Sequence, residues 1–164
     1  ASTLTVDNIV GTTTAGNVHI PGAVIQVKNT NTNTRTTHSS TSYQVADDIV
    51  ATITPKYATS KILVMMNVMA RTFNGGGADS SIKVGFSRDG GSTIISPIRT
   101  RAYDYGSNGI IVESSVSANF LDSPATTSSL TYQVYFAYVN GNNATVNNFS
   151  PDAHSSITLM EIAQ

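Results

Sequence analysis

The sequence predicts an all-β domain, an antiparallel jelly-roll-like β-sandwich assembled as a trimer. Three observations carry that reading. Of 164 residues, 22 are Thr, 20 Ser and 14 Asn, while two are Glu, four Lys and five Leu. Strong helix formers are therefore scarce and β-branched residues plentiful. Alternating apolar and polar runs, bounded by Gly, Asn, Asp and Pro, recur about every 10–15 residues, the spacing of a sandwich or barrel. One of those runs is apolar on both faces, which points to contact between copies. The length suits one domain, and a hydrophobic content of 40% is enough for a core.

The first run, residues 4–10 (LTVDNIV), is followed by the polar spacer GTTTAGN at 11–17. Residues 1–18 therefore read as an N-terminal anchor strand and spacer, and 19–164 as the domain. Leu4, Val6 and Ile9 are the apolar residues of the anchor. A short strand with open edges is unstable alone, so it is expected to order by adding to a neighbouring subunit or another protein. Folding back as an edge strand of its own sandwich is the alternative.

After Pro21 and Gly22, AVIQV (23–27) alternates. Residues 28–42 hold almost no apolar side chain and read as a loop with some extended pairing, an edge strand of Thr and Asn being the alternative. DIVATITP (48–55) alternates and ends at a proline. In residues 60–70 (SKILVMMNVMA), Ile62, Val64, Met66 and Val68 share one face and Leu63, Met65 and Met69 the other. Strands apolar on both sides are buried on both sides, so Leu63, Met65 and Met69 are candidate trimer-interface residues. A covering by the domain's own loops is the other reading, and the pattern does not say which face points inward.

Residues 81–96 read as a hairpin whose turn, Asp89-Gly90-Gly91, accepts positive φ. Residues 109–122 and 129–140 are two long strands. In the second, Tyr132, Val134, Phe136 and Tyr138 oppose Gln133, Tyr135, Ala137 and Val139, and Tyr135 joins the candidate interface. Residues 155–163 form the last strand. Eight to ten strands in about 140 residues fit a jelly-roll-like sandwich.

Composition also excludes partners. A net charge of −1, with only Arg99 and Arg101 close together among five arginines, leaves no basic stripe for nucleic acid. No run of 18 apolar residues exists, so no membrane insertion is expected. There is no cysteine, hence no disulfide and no thiolate chemistry. His19, His38 and His154 lack metal-ligand spacing, and Asp47-Asp48 and Asp89 do not form an alternating acidic calcium loop, so no metal or other cofactor is expected. No GxSxG elbow or catalytic carboxylate pair is present; Glu113 and Glu161 read as solvent-facing alternates in strands. The chain is expected not to be an enzyme.

Two segments instead suit recognition. Residues 73–79 and 101–108 surround glycines with aromatic and polar side chains: Phe73, then Tyr103, Asp104, Tyr105 and Asn108. Flat rings for stacking beside directional donors and acceptors fit a host surface glycan or a protein. Ordinary hairpin loops with tyrosines capping the core edge would look the same.

Several phrases taken together resemble a known group. TLTVDNIVG, HIPGAVIQV, IVATITPKYATSKILVMMNV, the FSRDGG hairpin, FLDSPATTSSLTYQVYF and SSITLMEIA resemble the tail-fibre-like virion structural proteins of marine and cyanobacterial bacteriophages. The resemblance covers nearly the whole chain, in the group's order. It implies a compact β-domain, similar to trimeric jelly rolls of the tumour-necrosis-factor type, and a place on the surface of a phage particle. It transfers no catalytic or binding residue, because the shared blocks are core strands. The implied function is structural, with the N-terminal segment anchoring to other virion proteins and the loops facing out. Capsid decoration or a vertex position on the head is the alternative, since no long shaft is present. A carbohydrate-binding module is the second alternative.

Overall fold

The computed structural model describes residues 20–75, 79–103, 109–147 and 152–164. The expected anchor strand with Leu4, Val6 and Ile9 lies outside them, as do Asp104, Tyr105 and Asn108. The described residues form strands β1 (Val24–Thr32), β2 (Thr36–His38), β3 (Gln44–Ile53), β4 (Lys61–Asn74), β5 (Asp79–Ser87), β6 (Ile95–Tyr103), β7 (Ile110–Asp122), β8 (Leu130–Asn140), β9 (Asn143–Val146) and β10 (Ser155–Ile162). No helix occurs among them, and every strand pair is antiparallel. The fold is an all-β, jelly-roll-like sandwich.

The first sheet is organised around β4. On one side β7 pairs with it from Ile62 to Asn74. On the other, β10 covers its first half, Lys61 to Asn67, and β9 its second, Ala70 to Phe73. β1 lies outside β10, and β2 outside β9. The handover between β10 and β9 falls at Met69, whose amide donates to Ser155 Oγ at 2.9 Å and whose carbonyl accepts the Asn147 amide at 3.0 Å. The second sheet has the order β3-β8-β5-β6.

The inward face of β4 carries Ile62, Val64, Met66, Val68 and Ala70, none more than 2% exposed. Opposite them the second sheet contributes Ile82, Val84, Phe86, Tyr132, Val134 and Phe136, all fully buried. Burial of such side chains at about 1.5–3 kcal/mol each is the main term holding the two layers together. One polar cluster closes the core's edge: the Tyr132 hydroxyl donates to Asp122 at 2.7 Å, and Arg88 pairs with the same carboxylate at 3.1 Å.

Several elements differ from the sequence expectation. Residues 28–42 are not mainly loop, because β1 continues through Lys28–Thr32 as an edge strand on β10 and β2 follows. Alternation of Thr and Asn has no apolar signal, yet it suits an edge with water on one side. Residues 143–146, given no element from sequence, form β9. β4 and β6 run on through Phe73 and Tyr103, so both aromatics stand on strand ends rather than in loops. Glu161 is not solvent-facing: it is fully buried.

The Asp89 turn accounts for its residues. Its carboxylate accepts the Ser87 hydroxyl and the Thr93 amide, while Gly90 and Gly91 take φ of 73° and 90°. Chiefly the Ser87 hydroxyl, then the Thr93 contacts, hold the Asp89 carboxyl down at about 2.

Candidate functional site

The sandwich has two chemically different ends. At one, the end of β4, the start of β5, the end of β6 and the end of β8 come together, and one carboxylate gathers them. Asp79, at the start of β5, accepts Arg101 Nε at 3.0 Å and a second guanidinium nitrogen at 2.6 Å, a side-on bidentate pair. Asn140, at the end of β8, also donates to it, and Arg99 approaches at 3.9 Å. The Arg101 hydrogen bonds, helped by Asn140 and by the charge of both arginines, outweigh partial desolvation and hold the Asp79 carboxyl below the usual range. Arg101 in turn lies over the Tyr103 ring, 4.1 Å from its centroid, within cation–π range.

Backbone contacts lock the same end. Asn74 Nδ2 donates to the Asp79 carbonyl at 2.6 Å, and Asn142 receives the Gly75 amide at 2.9 Å while giving its own amide to the Phe73 carbonyl at 2.8 Å. Gly141 runs so close to Phe73 that a Cβ there would lie 2.7 Å from the Phe73 carbonyl oxygen, at a φ of 121°. The base of this end is thus tied together by backbone and side-chain contacts.

Of the predicted recognition residues, the structure brings Phe73 and Tyr103 to this end, Tyr103 being 54% exposed and Phe73 half-buried. The sequence reading missed the organising role of Asp79 and Asn140. An Asp paired across a hairpin with an Arg two residues before a Tyr is a usable signal, but only once β5 and β6 are known to pair.

At the other end the described chain begins. The Gly22 amide donates to the Ala163 carbonyl at 2.8 Å, and the Ala163 amide to the Ala23 carbonyl at 2.9 Å. Glu161 sits beneath this entry. Its carboxylate accepts Gln26 Nε2 at 2.6 Å, the Lys56 amide at 2.7 Å and the Tyr57 amide at 3.3 Å. Burial opposes ionisation, but Gln26, the nearby Ser60 hydroxyl (which makes no full hydrogen bond) and the two amides outweigh it, so the carboxyl lies below its usual range. A depression of about 250 Å³ at this end is lined by Arg88, Asp89, Thr93 and Ile95. Both of its charged groups are already engaged, Arg88 by Asp122 and Asp89 by its own turn.

The candidate interface residues divide between the two outer faces. Leu63, Met65 and Met69 point away from the core on the outside of the first sheet and are half-buried. Register aligns Val27, Met160, Leu63 and Leu121 in one apolar row across β1, β10, β4 and β7. The next rows, Asn29–Thr158–Met65–Asn119 and Asn31–Ser156–Asn67–Ser117, carry no charge. Tyr135 does not belong to that face. It lies on the outside of the second sheet, 7% exposed, under the β5–β6 turn, where a Cβ on Gly91 would be 2.7 Å from its ring. The β5–β6 hairpin of the same chain covers it.

Among the described residues no group of three or more His, Cys, Asp or Glu is arranged to hold a metal ion. His38 instead bonds the Val45 carbonyl at 3.2 Å and packs on Phe136.

No family model matches the chain, and no curated protein sequence matches it. Solved structures with a similar course include the Eiger TNF of S. frugiperda, with 10% identity and a TM-score of 0.46 over 88% of this chain and 95% of that one. The D431N VP2 protein of infectious bursal disease virus, from T=1 particles, aligns at 12% identity and a TM-score of 0.38 over 99% of this chain and 40% of that one. Dimeric latent PorU from Porphyromonas gingivalis aligns at 9% identity and 0.32, over 91% and 14%.

Proposed function

We propose that this chain is a non-enzymatic structural component of a phage virion, held to the particle through residues 1–18 and presenting its Tyr103 end outward. The observation that carries the reading is polarity. The described chain enters beside Ala163, at the Lys61 end of β4, while Phe73, Asp79 and Tyr103 gather at its Asn74 end. The 14 residues of β4 place roughly 40 Å between the two ends, at about 3.3 Å per residue. A segment leaving one end can therefore bind a support without obstructing the other.

Three copies assemble through the outer face of the first sheet, where the Val27–Met160–Leu63–Leu121 row and Met65 and Met69 form an uncharged surface. The blocks shared with tail-fibre-like virion proteins support the phage assignment; host recognition through a glycan or protein at the Tyr103 end is the finer reading. Electron microscopy of intact particles tests the assignment. Density for the domain on the particle surface, with its Tyr103 end distal, is expected. Density with that end buried against the particle would overturn it.

A further inference from the structure

We propose that β7 is a second assembly contact, pairing along its free edge with β7 of another copy about a two-fold axis through Val116. A strand edge with open N–H and C=O groups is a template for another chain, and proteins that stay apart blunt such edges with Pro, Lys, bulges or short length. Three of the free edges here are blunted. β6 carries Pro97 between Ile95 and Arg99, β3 is broken by a bulge between Val45 and Val50 with Asp48 at a φ of 58°, and β1 has a bulge between Val24 and Gln26. β7 has none of these. It runs 13 residues in unbroken register with β4, without Pro, Gly or Lys; β6 packs beside it, with Ser114 Oγ donating to Thr100 Oγ1 at 3.2 Å, but among the described residues no strand ladder pairs with its other edge. Its two charges are spent inside the chain, Glu113 beside Arg71 at 3.7 Å and Asp122 on Tyr132 and Arg88.

The sequence of β7 says what the occupant is. IIVESSVSANFLD is close to palindromic in character about Val116: Ser115 answers Ser117, Val112 answers Phe120, and Ile111 answers Leu121. An antiparallel self-pairing in that register preserves the face of every side chain. It sets Ile111 of one copy opposite Leu121 of the other, twice. These residues are 52% and 46% exposed, large apolar side chains left in water at both ends of one edge. Isologous contacts of this kind are the commonest symmetry among oligomers. The contact is small beside the roughly 800 Å² per partner of a standard interface, so it joins units already formed on the sheet face, and it does not depend on their being trimers.

Because the chain has no cysteine, single cysteines report the register. The Ser115→Cys and Ser117→Cys proteins are mixed under mild oxidation. Cα atoms of facing residues, about 4.5–5.5 Å apart, lie within disulfide range, so a covalent two-chain product is expected. Ser117→Cys mixed with Thr158→Cys, on the sheet face, should give far less. Equal yields in both mixtures, or none, overturn the proposal. Ile111→Lys, at an exposed position outside the Leu121 row of the sheet face, should halve the mass of the assembly by light scattering, from six chains to three or from two to one. An unchanged mass overturns the β7 contact, whereas a halving from two chains to one retains it and counts against the trimer instead.

Discussion

The carboxylate of Glu161 on β10 accepts a 2.6 Å hydrogen bond from Gln26 on β1, and the same group holds the Lys56 amide at 2.7 Å. One buried charge thus ties the chain's entry strand to the β3–β4 turn. Its folded pKa is depressed, so its contribution is present above the unfolded glutamate value of about 4.3 and is lost as pH falls through the folded value. Glu161→Gln should lower stability by about 2 kcal/mol at neutral pH, since an amide faces donors it cannot accept fully. Its stability should also vary less than the wild type's between pH 3 and 5, as read by urea titration. Equal acid sensitivity in both proteins would contradict this role.

Gly91 has a φ of 90° and lies against the Tyr135 ring. Gly91→Ala introduces both backbone strain and a clash, at about 1–3 kcal/mol together. Adding Tyr135→Ala should relieve the clash alone, so the double variant should cost less than the sum of the two singles. Additive melting shifts would show that the hairpin does not pack on Tyr135.

Leu63→Asp and Met65→Glu place charges in the middle of the uncharged face while leaving the core face of β4 untouched. Each should abolish trimerisation by light scattering at micromolar concentration while keeping a cooperative melt. A trimer that survives both substitutions removes that face from the interface.

What the sequence made legible was whatever repeats with period two. Ile62, Val64, Met66 and Val68, and Tyr132, Val134 and Phe136, announce their strands and share a face as expected. The inward face of β4 was not legible, because Leu63 and Met65 are as apolar as Ile62 and Val64; only the pairing with β7 and β10 decides it. Residues 28–32 read as extended pairing within a loop, with an edge strand as the alternative, and 143–146 as no element, because their pairing is backbone pairing with side chains that carry no apolar alternation. Glu161 was misread as exposed because its partners, the amides of Lys56 and Tyr57, lie more than 100 residues away in sequence. Tyr135 was grouped with Leu63 by character, although the two stand on opposite outer faces. The Tyr103 end was half visible: Tyr103 and Phe73 signal it, but the Asp79–Arg101–Asn140 cluster exists only through the pairing of β5 with β6 and β8.

The central claim is that the anchor and the domain are separate in role, one fixing the chain to the particle and the other folding and facing outward. The most direct measurement is deletion of residues 1–10, followed by thermal melting and a test of incorporation into particles. The account predicts an unchanged cooperative melt and a trimer that no longer enters particles. A truncated chain that loses its melt would assign the segment to the domain's own sheet and contradict the account.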